Sequence, residues 1–158
     1  MPRDIEQDLP QFDEIDYAEI SQFFTRTGAV ELISLLDNAG YRFDEIDEEL
    51  DVSRAVLNDR RAEAYGLGLI RPAQTLQDGK VRRVHTLTTL GSQIKREMRA
   101  IGLVQTHERL RGIRKEYGKQ KEEFRDWVDD PGELQHDVEE SLKGSAPPEL
   151  FEDDDEKE

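Results

Sequence analysis

The chain has 158 residues and a formal net charge of −15, with 37% charged and 35% hydrophobic residues. So few apolar residues predict a core of roughly ninety residues flanked by extended or disordered segments. The absence of cysteine excludes disulfides and thiolate metal sites. Neither a signal core nor an apolar run of the roughly 20 residues that a membrane span needs is present, so we expect a soluble, cytoplasmic protein without a membrane partner.

Residues 1–16 are acidic and lack hydrophobic periodicity, which predicts a flexible arm. A first helix is expected after it, because Ile20, Phe23 and Phe24 form one apolar stripe. A second helix follows, and Gly40 is its expected C-cap. The apolar residues of this second helix have the spacing that gives a helix one buried face: Ala29, Leu32, Ile33 and Leu36.

Two short helical segments then meet at the polar turn Asp51-Val52-Ser53. The first runs from Arg42 to Leu50. Ser53 is a good N-cap for the second, which extends to about Tyr65. Five residues of the second segment are expected on its open side: Arg54, Ala55, Asn58, Asp59 and Ala62.

A β-hairpin is expected next, because two segments of strand composition enclose Asp78-Gly79, the strongest short hairpin signal. The strands are expected from Leu69 to Leu76 and from Val81 to Leu87. Thr88 then caps a further helix. The apolar residues of that helix are Leu90, Ile94, Met98 and Ile101.

After Gly102, apolar residues recur every seven positions, as in a coiled coil. The first heptad position holds Leu103, Leu110, Tyr117 and Phe124, and the fourth holds Thr106, Ile113, Gln120 and Trp127. The apolar residues of the preceding helix follow a different heptad frame, so a bend in the helix or a skip in the heptad repeat is expected near Gly102. We expect residues 102–129 to form a dimerisation helix whose interface is Leu103, Leu110, Ile113, Tyr117, Phe124 and Trp127.

The helix is expected to end at Asp130-Pro131-Gly132. Residues 130–158 are acidic and predict a largely disordered tail. Within this tail we expect a short, weak helix from Leu134 to Leu142.

Charge is distributed unevenly along the chain. Residues 1–52 and 126–158 each have a net charge of −12, whereas residues 53–96 carry 9 basic and 3 acidic side chains. A phosphate-facing surface needs local positive charge rather than a positive total. An acidic chain with 15 Arg and 7 Lys resembles the proteins of salt-in halophiles, notably those of haloarchaea; the alternative is an acidic mesophilic protein with a disordered tail.

Three sequence pieces occur in order within residues 29–91: DVSRAVLNDR, GLGLI and HTLTTLG. They resemble three features of winged helix-turn-helix transcription regulators of the prokaryotic MarR, PadR and HxlR group. The first piece is similar to the turn with its recognition helix, and the second is similar to the entry to the wing. The third is similar to the Y-x-L-T-x-x-G exit from the wing. The resemblance implies a mainly α fold with a small β-hairpin wing over residues 17–101, followed by C-terminal dimerisation helices. It also implies a homodimer that binds a pseudo-palindromic operator in double-stranded DNA.

Three residues depart from that family. Asp47 stands where the first helix usually has a small residue, and Asp51 stands where the turn often has glycine. Arg61 stands where the recognition helix usually buries a leucine. Arg61 therefore either disturbs the packing of this helix or extends its guanidinium along the helix to a phosphate.

The resemblance implies that residues 53–65 enter the major groove and that residues 76–84 lie on the backbone or in the minor groove. Arg54 and Asn58 have side chains that pair bidentately with guanine and adenine, respectively. The other basic residues are expected on phosphates. The expected DNA-binding residues are Ser53, Arg54, Ala55, Asn58, Arg60, Arg61, Lys80, Arg82 and Arg83. The alternatives are a solvated helix face and an ordinary exposed hairpin.

An enzyme is not expected, because the sequence has no nucleophile elbow, no phosphate-binding glycine loop and no supported acid/base pair. His85, His107 and His136 are far apart in sequence and are not spaced as metal ligands usually are. Neither a metal nor a cofactor is therefore predicted. Two other functions stay open. One is a winged-helix adaptor that binds proteins instead of DNA, and the other is a regulator that senses an unidentified ligand.

Overall fold

The computed structural model describes residues 14–145, so residues 1–13 of the expected arm and 146–158 of the expected tail lie outside the described residues. The described chain is mainly helical, with a two-stranded antiparallel hairpin. Its elements are α1 (Tyr17–Phe23), α2 (Ala29–Leu35), α3 (Phe43–Glu49), α4 (Arg54–Gly66), β1 (Ile70–Gln77), β2 (Lys80–Leu87), α5 (Thr89–Ala100), α6 (Leu103–Val128) and α7 (Pro131–Ser145). They divide into two compact units, the first ending at Gly112. No helix between residues 14 and 145 has both the length and the apolar character needed to cross a bilayer.

The first unit has a core to which each of its early helices contributes. Phe23 of α1, Leu32 and Ile33 of α2, Leu57 of α4 and Val104 of α6 are all fully buried. Burying an aliphatic or aromatic side chain of this size stabilises a fold by about 1.5–3 kcal/mol. The helical spacing of apolar residues therefore predicted the buried faces of α1 and α2.

Polar side chains fix the starts of three helices. Asp16, Ser53 and Thr88 each accept a hydrogen bond from the backbone N–H three residues later, at 3.0, 3.3 and 3.0 Å, and so cap α1, α4 and α5. Each cap satisfies a donor that has no partner within the helix. The predicted caps at Ser53 and Thr88 are confirmed. Asp16, which was expected in the flexible arm, instead belongs to the folded unit.

The expected C-cap at Gly40 is wrong, because α2 already ends at Leu35. Gly40 lies in a later turn with φ of +90°, where Asp37 accepts hydrogen bonds from two backbone N–H groups at 3.0 and 2.9 Å. A Cβ at this position would lie 2.5 Å from the Val84 side chain. The glycine is needed because it lets the chain pass close to β2, with which Tyr41 then forms a β-bridge.

The predicted hairpin at Asp78-Gly79 is confirmed. β1 and β2 pair in a register that ends with Gln77 opposite Lys80. The two loop residues have φ values of 52° and 75°, as a type I′ turn requires, and the twist of this turn matches that of the flanking strands.

Two of the sequence pieces, GLGLI and HTLTTLG, pack against each other. The Thr88 N–H donates to the Leu69 carbonyl oxygen at 3.0 Å, and the Thr88 hydroxyl donates to the Gly68 carbonyl oxygen at 2.5 Å. A Cβ on Gly91 would lie 2.1 Å from the Leu69 carbonyl oxygen. The last glycine of HTLTTLG is therefore required by the close approach of two backbone segments.

The expected bend near Gly102 is a complete break between two helices. α5 ends at Ala100, and Gly102 adopts a φ of +83°, a conformation that costs glycine little because it has no Cβ. α6 then runs for 26 residues.

The second unit contains the end of α6 and all of α7. Asp130 caps α7 by accepting a hydrogen bond from the backbone N–H three residues later at 3.2 Å, and Pro131 stands in the first turn, where no N–H is needed. Trp127 Nε1 also donates to Asp137 Oδ2 at 2.8 Å. These contacts explain why a 15-residue helix replaces both the expected disorder over this stretch and the shorter helix expected at 134–142.

Replacing Gly91 by alanine tests the close approach to Leu69. Gly91→Ala is expected to lower the free energy of unfolding by about 1–3 kcal/mol, because the added methyl group overlaps a backbone carbonyl. Gly112→Ala is the control, since no atom lies within 4 Å of the position of its Cβ. This control should raise stability by about 0.5–1 kcal/mol, because alanine favours a helix more than glycine does. Urea unfolding measures both, and equal effects would contradict the packing.

Candidate functional site

The outer face of α4 is exposed, as the sequence predicted. Its exposed residues are Arg54, Ala55, Asn58, Asp59 and Ala62. On the inner face, Leu57 and Ala64 are fully buried. The helical period thus divides α4 into a face that holds it to the core and a polar face that is available to a partner.

Arg54 is held by two carboxylates of α3. Its Nη2 lies 3.2 Å from Asp44 Oδ1 and its Nη1 lies 3.1 Å from Asp47 Oδ2. The hydrogen bond that Arg54 donates to Asp44, with the one that it donates to Asp47, holds the pKa of Arg54 above its ordinary value. The guanidinium carbon also lies 4.8 Å from the centre of the Phe43 ring, so the side chain is drawn towards α3.

Arg61 does not occupy the core position of a leucine. It is half-buried, and its Nη2 donates to Asn58 Oδ1 at 2.5 Å. Its guanidinium carbon lies 4.9 Å from the centre of the Phe43 ring, a cation–π distance. Because Leu57 and Ala64 fill the core side of α4, the charge at Arg61 does not interrupt the packing of this helix.

Arg60 has two partners within the folded chain. Its side chain is only 14% exposed and forms an ion pair with Glu63. Its Nε also donates to the Thr27 carbonyl oxygen at 2.9 Å. Arg60 therefore ties α4 to the turn before α2, and its expected contact with a phosphate stays a prediction.

The strand alternation separates the three basic residues of β2. Arg83 lies on the same hairpin face as Pro72 and His85, because paired and alternate residues share a face. Lys80 and Arg82 lie on the opposite face. Sequence reasoning grouped the three together, whereas the structure places only Arg83 beside α4.

A cleft of about 600 Å³ lies between α4 and the hairpin. Its lining includes Phe43, Arg61, Tyr65, Pro72, Arg83 and His85. Within residues 14–145, neither Arg61 nor Arg83 has a carboxylate at ion-pair distance. The cleft therefore carries two positive charges that no acidic side chain of the described chain offsets.

Tyr65 and His85 form a hydrogen-bonded pair at the bottom of this cleft. The Tyr65 hydroxyl lies 2.5 Å from His85 Nδ1, and the two rings meet edge to face with centres 5.6 Å apart. Burial, and then the charges of Arg61 and Arg83, lower the pKa of His85. Burial likewise raises the pKa of Tyr65. Both groups are thereby kept neutral at the base of a positively charged cleft.

The expected interface residues of α6 fall into two groups. Leu103 packs against the core of the first unit, and Trp127 is half-buried beside Asp137. The others have large exposed fractions: Leu110 52%, Ile113 65%, Tyr117 63% and Phe124 60%.

Sequence reasoning missed several residues of the site. The sequence assigns no function to Phe43, Asp44 or Tyr65. Period-two alternation could have placed His85 and Arg83 together on one face of the hairpin. The contact of Arg54 with Asp44 had no such signal, because it depends on the angle between α3 and α4.

Among the residues that the structure describes, no three His, Cys, Asp or Glu side chains cluster as metal ligands. No protein-family model matches the chain. Comparison with curated protein sequences finds no match either.

The pH dependence of stability tests the burial of His85. Because the pKa of His85 is lowered in the folded chain, the unfolded chain binds this proton at a higher pH. Stability is therefore expected to fall as pH drops below about 6.5, the ordinary histidine pKa, towards the lower folded value. In urea unfolding at a series of pH values, His85→Gln should make this fall shallower.

Tyr65→Phe is the matched control for His85→Gln. It keeps the imidazole and should retain a fall of the same sign, while losing about 1 kcal/mol at neutral pH because the hydroxyl hydrogen bond is gone. If the stability of His85→Gln declines as steeply as that of the wild-type protein, the decline comes from other groups.

Proposed function

We propose that the chain is a sequence-specific DNA-binding transcription regulator of the winged helix-turn-helix type. In this proposal α4 is the recognition helix in the major groove, and the β1–β2 hairpin is the wing on the backbone or in the minor groove. The observation that carries the proposal is the exposed face of α4 adjoining the cleft that Arg61 and Arg83 line.

The order and spacing of the elements support this proposal. α3 and α4 are joined by residues 50–53, and the hairpin follows α4 after a short glycine-containing connection. α4 has 13 residues, which corresponds to a length of about 20 Å at 1.5 Å per residue. A helix of this size, exposed along one side, fits a major groove about 12 Å wide.

The positions of the polar residues on α4 also fit. Arg54 and Asn58 lie in the first two turns, the part of a recognition helix that contacts base edges. Their side chains suit guanine and adenine, respectively. Arg61 lies further along the helix, next to the cleft, where a phosphate is the expected partner.

Local charge supports contact with a polyanion despite the acidic total. The net charge of −15 arises from two terminal regions, whereas residues 53–96 have an excess of basic side chains. In this proposal the wing approaches DNA with the face that carries Arg83. Lys80, beside the turn, and Arg82, on the other face, reach the backbone only if the wing tip itself enters a groove.

We further propose that the protein acts as a homodimer through α6. In the second unit, Ile113, Tyr117 and Phe124 leave about two thirds of each side chain exposed. A second copy of α6 would bury these residues at the heptad positions that they occupy. Such a dimer would present two recognition helices about 34 Å apart to a pseudo-palindromic operator.

DNA binding is tested by selecting duplexes from a random-sequence library and measuring their affinity by fluorescence anisotropy. Arg83→Ala is expected to weaken binding to a selected and a scrambled duplex alike, by roughly 3- to 10-fold, because it removes a phosphate contact. Arg82→Ala is the matched control, one residue away on the opposite face, and should have the smaller effect.

Two results would contradict this proposal in different ways. If Arg82→Ala weakens binding more than Arg83→Ala does, the wing approaches DNA with its other face. If the wild-type protein binds no duplex from low to molar salt, it is not a DNA-binding regulator, and capture of a protein partner by the same preparation would favour the adaptor.

The homodimer is tested by the molar mass in sedimentation equilibrium. The variant Ile113→Glu/Tyr117→Glu is expected to be monomeric at concentrations where the wild-type protein is dimeric, because four carboxylates would be buried per dimer. Gly118→Glu/Lys119→Glu places carboxylates at outer heptad positions of the same helix turn and should remain dimeric. A dimer that survives the first variant would exclude this face of α6 as the interface.

A further inference from the structure

The first turn of α4 carries an acidic clamp, which we define as Asp44 and Asp47 on α3 with Arg54 between them. The two ion pairs measure 3.2 and 3.1 Å. The side chains of Asp44 and Arg54 are 70% and 59% exposed, while that of Asp47 is 31% exposed. The clamp therefore lies at the surface that a DNA duplex would meet.

The charge of the clamp differs from that of the neighbouring cleft. The two carboxylates and the guanidinium of the clamp sum to a charge of −1, and Arg61 lies over the same Phe43 ring at the edge of the clamp. The cleft nearby carries Arg61 and Arg83 without a carboxylate partner in the described part of the chain. A phosphate is thus attracted to one part of the surface and repelled from the other.

The clamp also occupies the atoms with which arginine reads a base. Its hydrogen bonds use the terminal nitrogens Nη1 and Nη2 of Arg54. A bidentate contact with guanine O6 and N7 draws on donors of the same guanidinium fork. Any acceptor on DNA must compete with the two carboxylates for these donors, but a phosphate is also repelled by their charge. DNA with guanine in place offers two neutral acceptors in a matching geometry.

We propose that Asp44 and Asp47 are positioning residues that set the sequence specificity of Arg54. This inference rests on the proposed DNA binding. The carboxylates hold the guanidinium beside the Phe43 ring and oppose phosphates, so they weaken binding to unrelated duplexes more than binding to the duplex with guanine at the right position. Specificity of this kind arises from repulsion of the wrong partner as well as attraction of the right one.

The variant Asp44→Asn/Asp47→Asn tests the clamp. Its affinity for a scrambled duplex should rise roughly 3- to 10-fold, because two carboxylates near phosphates are neutralised. Affinity for the duplex selected by the wild-type protein should change less, so the ratio of the two affinities falls. A new selection from the random library should show a weaker preference for guanine at one position of each half-site.

Four further variants test whether the effect acts through Arg54. Glu48→Gln/Glu97→Gln neutralises two exposed carboxylates away from Arg54 and should leave the base preference intact. Arg54→Ala should itself abolish the preference at that one position. Adding Asp44→Asn/Asp47→Asn to Arg54→Ala should then change the preference no further. Asp44→Asn alone, at the more exposed carboxylate, should show the same trend to a smaller extent.

The outcomes separate the inference from the proposed function. If the wild-type protein selects a sequence and Asp44→Asn/Asp47→Asn selects the same one with the same affinity ratio, the clamp has no role in specificity and DNA binding stands. If Glu48→Gln/Glu97→Gln broadens selection equally, total charge is the cause and the inference is overturned. If the wild-type protein binds no duplex at all, it is the proposed function that fails.

Discussion

The close approach of Gly91 to the Leu69 carbonyl oxygen is the contact on which the candidate site depends. The same carbonyl accepts a hydrogen bond from the Thr88 N–H, and the Leu69 N–H donates to the Ala64 carbonyl at the end of α4. One small backbone network thus joins the end of α4, the base of the hairpin and the start of α5. Because it fixes the hairpin against α4, Arg61 and Arg83 line the same cleft.

The acidity of the chain has two different consequences for the surface. Most of the excess charge lies in the terminal regions, where it acts on solvent and on distant ions. Asp44 and Asp47 belong to the first of these regions, residues 1–52, but they act at contact distance on one guanidinium. Net charge therefore says little about the candidate interface, because the same residue type has a general effect in one place and a specific effect in the other.

Features set by neighbours in sequence could be predicted, whereas those set by packing could not. The caps at Ser53 and Thr88, the turn at Asp78-Gly79 and the break at Gly102 follow from local backbone chemistry. The Thr27 carbonyl oxygen, which accepts a hydrogen bond from Arg60, is 33 residues away, and this contact depends on how α4 packs against the turn before α2. The length of α7 was predicted too short for a similar reason. The apolar pattern of this helix is weak, and a hydrogen bond from Trp127 of α6 to Asp137 supports it instead.

Burial and partners distinguish three kinds among four arginines of α4 and the hairpin, although the sequence shows one basic block. Arg60 interacts within the folded chain, because its guanidinium forms an ion pair with Glu63 and donates a hydrogen bond to the Thr27 carbonyl oxygen. Arg54 is exposed but clamped by two carboxylates. Arg61 and Arg83 are not offset by acid within the described chain. If the chain binds DNA as proposed, such a surface would separate attraction of phosphates from discrimination between bases, because different side chains would carry the two tasks and only Arg54 is paired with carboxylates.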